Sequence, residues 1–317
     1  MAQQLLEEVV AGTEVVCDPG VGHTDPAGDG AHLDGRHAPL GQQLGSRVED
    51  LGASLLRVSA PARSSHGVHL TLTLQGREPY RALDAQGRRR AMRDIELIRE
   101  GADGAVLRGH ETGAGPTVLL LHAGGERRTV WEPVAQALDE GGVRSVAFDQ
   151  RGHGDSSGEP TTLAMLAGDV RAMIRQQQRP VTIVGASIGG LAGLDALTDP
   201  ATAIRARGLV LVDVVPDPDP GRVRTWLDER GLRRRREALV DDVLAQGPAL
   251  RAALAALDLP ILLVRGGVGS PLSDAEVVRL QETNLQVRVE RIPEAGHLVA
   301  RDAPQRLAAI ILERTAA

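Results

Sequence analysis

One serine of this chain stands where a hydroxyl can be turned into a nucleophile. Ser187 lies in the string Gly185-Ala186-Ser187-Ile188-Gly189-Gly190, which follows the apolar run 181–184 and opens a helical pattern near residue 188. A serine on a tight, strained turn holds its Oγ clear of the backbone, and the glycines are required because a side chain at either flank would clash. In that geometry the next N–H, that of Ile188, points toward an oxygen on which negative charge develops. A glycine-rich turn with an incidental serine would spell the same string, but its place between a strand and a helix favours the nucleophile.

Two further strings supply what such a serine needs. After the apolar run 118–121 come His122-Ala123-Gly124-Gly125, small residues at a strand end that let backbone N–H groups approach a substrate. Gly124 is the candidate donor for the second half of an oxyanion hole. Late in the chain, Glu294-Ala295-Gly296-His297-Leu298 follows the last expected strand. It offers His297 as a general base in the chain order serine, acid, histidine.

The elements that must carry these residues follow from apolar spacing. Strands are expected at 94–98, 105–109, 117–122, 143–148, 181–185, 208–212, 261–265 and 287–292. Helices are expected at 131–140, 161–177, 188–197, 274–283 and 303–312. Continuous β-branched and leucine runs alternating with amphipathic helices predict an α/β fold, a mostly parallel eight-stranded sheet covered on both faces. At about 214–258 a helical insertion replaces a short crossover, with Leu239, Val240, Val243, Leu244 and Leu250, Ala253, Leu254, Leu257 at helical spacing. It reads as a short cap over the carboxyl ends of the strands.

Residues 1–91 differ. The stretch 18–45 is mostly Gly, Pro, Asp and His without sustained period, 67–75 alternates as a single strand, and 81–93 is strongly basic, yet neither brings a partner. This segment is expected to be an N-terminal extension, disordered or an over-extended reading frame whose start is Met92. The hydrolytic machinery is expected to lie in 92–317.

Composition excludes several chemistries. All 36 basic residues of the 317 are arginine, so a P-loop lysine and a pyridoxal Schiff base are impossible. A single cysteine, Cys17, rules out an internal disulfide and a four-cysteine zinc site. His110 and the five histidines before it show no metal-ligand spacing. The net charge of −6, with Arg scattered among Asp and Glu, argues against a nucleic-acid partner. No apolar run reaches the roughly 20 residues of a membrane span, and the chain reads as soluble and cytoplasmic.

From about residue 92 onward the chain resembles the α/β-hydrolase fold superfamily, in particular its capped esterase, perhydrolase and epoxide-hydrolase-like group. The matching strings are Leu121-His122-Ala123-Gly124-Gly125, Phe148-Asp149-Gln150-Arg151-Gly152-His153-Gly154-Asp155-Ser156, Gly185 to Gly190, Leu209 to Asp213, and Gly296-His297. The resemblance implies Ser187 as nucleophile, His297 as general base, and the N–H groups of Ile188 and Gly124 as oxyanion hole. It implies a serine hydrolase acting on a small acyl substrate such as an ester, with no metal or organic cofactor. Serine in place of aspartate at 187 argues against epoxide hydrolysis and dehalogenation. A weakened hydrolase fold kept for ligand binding, or a lyase or acyltransferase in the same pocket, are the alternatives.

This sequence departs from the family pattern in three places. Ala123 replaces a glycine, the cap is short, and the position where the family carries its acid, after the strand 261–265, is Pro271. Two carboxylates can stand in: Asp213, at the end of the strand 208–212, and Asp274, expected to cap the helix 274–283. Asp213 is favoured because a strand end fixes a side chain better than a glycine-rich loop. His153, Asp149 and Asp155 read as parts of a structural turn.

Overall fold

The computed structural model describes the strands Leu56–Ser59 (β1), Thr71–Leu74 (β2), Arg81–Leu83 (β3), Arg89–Ala91 (β4) and Arg93–Ile98 (β5), then residues 104–232 and 236–315. The strand expected at 67–75 has a partner after all. β2 pairs antiparallel with β1, Leu74 opposite Leu56, and within the basic stretch β3 and β4 form their own antiparallel pair. Strands of three or four residues are too short for a period to show, so their pairing is invisible until the chain folds. The chain divides into two units, 1–79 and 80–317. The glycine- and proline-rich stretch 18–45 lies outside the described residues.

The second unit is built on the eight-stranded sheet. Besides β5 it contains Val106–Thr112 (β6), Thr117–Leu121 (β7), Arg144–Phe148 (β8), Val181–Ala186 (β9), Ala206–Val212 (β10), Ile261–Gly266 (β11) and Val287–Ile292 (β12). Their order is β12-β11-β10-β9-β7-β8-β6-β5. The pairs from β12 through β8 are parallel, and β6 joins β8 and β5 antiparallel. β7 and β9 are buried along their whole length, as a strand covered on both faces must be.

Helices cover both faces, and the alternation of each strand decides which residue meets which layer. Leu119 and Leu121 of β7 pack with Leu163, Leu166, Val170, Met173 and Ile174 of the helix Leu163–Gln176 (α2) and with the helix Ile188–Ala196 (α3). Val118 and Leu120 face the other way, onto Val134 and Leu138 of Glu132–Glu140 (α1) and onto Leu307, Ile310 and Ile311 of Pro304–Thr315 (α8). The insertion forms three helices: Pro220–Glu229 (α4), Glu237–Ala245 (α5) and Gly247–Ala256 (α6). Leu239, Leu250 and Leu254 bury as expected. α4 buries none of its residues completely; Asp219 caps it by accepting from the Arg222 N–H at 2.7 Å. The helix Asp274–Thr283 (α7) matches its expected bounds.

Every strand of the large sheet lies after residue 92. A chain beginning at Met92 is therefore expected to stay folded and to keep the activity of the full chain, measured as thermal unfolding and ester turnover. Aggregation or inactivity of that shorter chain would make residues 1–91 part of the working fold.

Candidate active site

Sheet register brings the candidate residues together. Leu121 pairs with Gly185, Ala186 with Val212, and Val212 with Val264, so β7, β9 and β10 end within one residue of one another at their carboxyl edge and β11 runs two residues further. β8 leaves β7 on one side and β9 lies on the other, so the strand order reverses there, where open α/β sheets hold their ligands. The His122–Gly125 loop, Ser187 and Asp213 thus emerge side by side. Two backbone bonds continue the ladder past the strand ends, from the Ser187 N–H to the Val212 carbonyl at 3.1 Å and from the Asp213 N–H to the Val264 carbonyl at 2.8 Å.

Ser187 has φ 50° and ψ −123°, and Asp213 has φ 52°. They are the two non-glycine residues with positive φ among the described residues. Such backbone costs on the order of 1–3 kcal/mol per residue and persists where the surroundings impose it, which concentrates it at functional sites. The flanking glycines have steric reasons. A Cβ on Gly185 would sit 2.4 Å from the Gly190 nitrogen, and one on Gly189 2.6 Å from the Leu121 carbonyl oxygen. Ser187 is partly exposed, and Ile188 is the first residue of α3, so its N–H has no acceptor within the helix.

Asp213 lies on His297. The Asp213 carboxylate is completely buried, and its Oδ2 is 2.8 Å from His297 Nδ1. Its Oδ1 accepts from the Gly266 N–H and from Ser270 Oγ, each at 2.8 Å. Three donors offset the cost of burying that carboxylate. Because Asp213 accepts at Nδ1, the imidazole carries its proton there and leaves Nε2 bare. The loop that holds His297 is itself tied down, the Gly296 N–H donating to Asp302 Oδ2 at 2.9 Å and the Gly267 N–H to the Ala295 carbonyl at 2.7 Å.

Asp274 is placed elsewhere. Its side chain is 77% exposed and pairs with Arg265 and, at 3.2 Å, with Arg291, and those guanidiniums hold its carboxyl below the usual aspartate range. Nor does it cap α7. Ser273 does so, in a reciprocal box with Glu276, whose N–H donates to Ser273 Oγ at 3.3 Å. The cap falls one residue earlier than expected because Ser273 still has extended backbone while Asp274 is already helical. Asp274→Asn is accordingly expected to leave ester turnover unchanged and to lower the unfolding temperature slightly; a large loss of turnover would give Asp274 a role at the site.

The loop after β7 accommodates its departure from the glycine pattern. The Ala123 side chain is buried among α1 and the residues near His297, and its N–H donates to Glu126 Oε2 at 3.3 Å. Burial raises the Glu126 pKa, opposed by that hydrogen bond and by the charges of Arg301 and His297. A Cβ on Gly124 would sit 3.7 Å from Ile188 Cγ2, so the two candidate oxyanion donors are neighbours.

Sequence reasoning missed Trp226 and Ser270. Trp226 of α4 packs edge-on against the His297 ring, centroids 4.6 Å apart, and its indole N–H donates to the Gly269 carbonyl at 3.1 Å. Arg230 lies over its other side, 4.2 Å from the ring centroid. The available signal was a tryptophan, one of two in the chain, at helical spacing with Val223 and Leu227 in the insertion. Ser270 carried no signal beyond its place in a glycine-rich loop.

The sequence profile of the alpha/beta hydrolase family matches residues 118–310. The chain belongs to that family and is a hydrolase enzyme. It is 25% identical to esterase Rv0045c of Mycobacterium tuberculosis, over 69% of this chain and 88% of that one. It is 33% identical to protein phosphatase methylesterase 1 of Mus musculus, over 39% of this chain and 34% of the relative, so it spans about a third of that protein's length. In structure it is similar to an esterase from Exiguobacterium antarcticum, with a TM-score of 0.59 at 17% identity, covering 70% of this chain and all of the other. It is also similar to E-2-(acetamidomethylene)succinate hydrolase, with a TM-score of 0.60 at 20% identity, covering 71% and 100%. These structural likenesses are likenesses of fold. Among the described residues no helix is long and apolar enough to cross a membrane.

Proposed function

We propose that the protein is a serine hydrolase that cleaves an ester or related small acyl compound through an acyl-enzyme. The observation that carries this reading is the Asp213 carboxylate 2.8 Å from His297 Nδ1, at the strand end next to the strained Ser187. His297 Nε2 takes the Ser187 proton as Oγ attacks the substrate carbonyl. The N–H groups of Ile188 and Gly124 hold the oxyanion. Asp213 keeps the proton of His297 on Nδ1 and stabilises the imidazolium that forms. His297 then protonates the leaving alcohol, and the acyl group remains on Ser187. Water, deprotonated by His297, releases the acid and restores the hydroxyl. The reaction calls for no metal, organic cofactor, nucleic acid or membrane partner, and it suits a cytoplasmic enzyme.

The test is covalent labelling with a fluorophosphonate, read by peptide mass, beside hydrolysis of a panel of short and medium acyl esters. Modification at Ser187 with turnover of at least one ester is the expected result. An unlabelled serine and an inert panel would return the chain to the reading of a hydrolase fold retained for binding.

A further inference from the structure

Two histidines, His122 in the loop after β7 and His153 in the loop after β8, have hydrogen bonds that settle their protonation. His153 Nδ1 lies 3.0 Å from the Arg151 carbonyl, which only accepts, so Nδ1 carries the proton. Its bare Nε2 accepts from the Gly125 N–H at 3.1 Å. His122 repeats the pattern, with Nδ1 donating to the Ala123 carbonyl at 2.8 Å and Nε2 accepting from the Gln150 N–H at 2.9 Å. Both rings are thus uncharged, and an imidazolium at either would set a proton against a backbone N–H. On the other side of Gly124, Glu126 Oε2 takes the Ala123 N–H. The N–H groups immediately before and after Gly124 are engaged by side chains, which fixes the direction of the Gly124 N–H between them.

We propose that His153 is a positioning residue for the oxyanion hole: its neutral imidazole, by accepting from Gly125, holds the Gly124 N–H in line with the developing oxyanion. This rests on the reading of Ser187 as nucleophile and Gly124 as oxyanion donor. A donor that wanders loses most of its value, since oxyanion stabilisation comes from preorganised dipoles and requires no reorganisation during the reaction. His153 therefore acts on turnover through a backbone it orients and touches no reacting atom.

The arrangement is sensitive to acid. The groups facing His153 are His122, with ring centroids 5.1 Å apart, Asp149 at the end of β8, and Arg236 of the cap, whose guanidinium also donates to the Gly152 carbonyl at 2.8 Å. Burial lowers the His153 pKa, the Arg151 carbonyl and Asp149 oppose this, and Arg236 adds to it. His122, more deeply buried, is pushed down to about 4. The sign follows directly. Neutral His153 predominates above its pKa, so the loop keeps its acceptor at neutral pH and loses it as pH falls through that value. Protonation of His153 therefore lowers turnover on the acid side.

His153→Phe keeps the ring without the acceptor, and His153→Gln returns an acceptor oxygen near the place of Nε2. The measurement is kcat, KM and the pH profile of kcat/KM on a short-chain p-nitrophenyl ester, with thermal unfolding and fluorophosphonate labelling of every variant. H153F is expected to lower kcat about 10- to 100-fold with KM changed less than about threefold, and H153Q to recover to within about threefold of the wild type. The acid limb should be steeper in the wild type than in H153Q, which has no imidazole at 153 to protonate. Wild-type kcat in H153F, an H153Q as impaired as H153F, or an acid limb in H153Q as steep as that of the wild type would each overturn the proposal. Should H153F fail to fold, H153Q and its pH profile decide alone. If Ser187 labels and the His153 variants behave as wild type, only this proposal falls; if Ser187 neither labels nor matters to turnover, it falls together with the serine-hydrolase reading.

Discussion

Asp213→Asn is expected to lower ester turnover by about 10⁴-fold while the fold persists. The reason lies in which atoms already face the side chain. Oδ1 accepts from the Gly266 N–H and Ser270 Oγ, so the amide oxygen of Asn will keep those donors and turn its NH₂ toward His297. An NH₂ at 2.8 Å from Nδ1 requires Nδ1 to accept. The proton then moves to Nε2, which leaves no base for the Ser187 hydroxyl. The imidazolium of the transition state also loses its counter-charge. The stability cost should be modest, about 1–3 kcal/mol for a charge-assisted bond replaced by a neutral one. Turnover within tenfold of the wild type, with Asp274→Asn as the impaired variant instead, would move the acid to the loop after β11.

Ser187→Ala should reduce turnover by at least about 10³-fold and abolish fluorophosphonate labelling, with little change in unfolding temperature. The hydroxyl is partly exposed and reacts; it does not pack the core. Ser187→Gly separates chemistry from strain. At φ 50° and ψ −123° an L-residue is strained whether it is Ser or Ala, and glycine is not. Relief of about 1–3 kcal/mol of strain, less up to about 1 kcal/mol for the freer unfolded chain, predicts an inactive variant more stable than the wild type by about 1 kcal/mol. Near-native turnover in either variant would end the nucleophile assignment. An unfolding temperature of Ser187→Gly below that of Ser187→Ala would show that the turn is not strained.

The pattern of what could be read in advance follows the range of the interactions. The eight strands of the large sheet, the bounds of α7 and the end of β12 are set by apolar residues a few positions apart, and local spacing reports them. The turn at Ser187 is also local, because Gly185 and Gly189 are needed within two residues of it. The role of α4 escaped notice because its specific contact is one indole resting on a histidine distant in sequence.

By itself, then, the sequence determined the α/β sheet, the elbow, the strand-end loop at Gly124 and the late histidine, since each is written in neighbouring residues. Tertiary structure decided the rest. Asp213 and Asp274 are both carboxylates that follow strands, and the fold sets Asp213 beside His297 while Asp274 pairs with Arg265 and Arg291. The capping of α7 by Ser273 and the pairing of β1 with β2 were likewise settled by the folded backbone. So was the neutral state of His153, because a proton's position on a ring depends on which carbonyl and which N–H the fold brings within 3 Å or so of it. Such contacts join segments far apart in the chain, and spacing along a sequence carries no record of them.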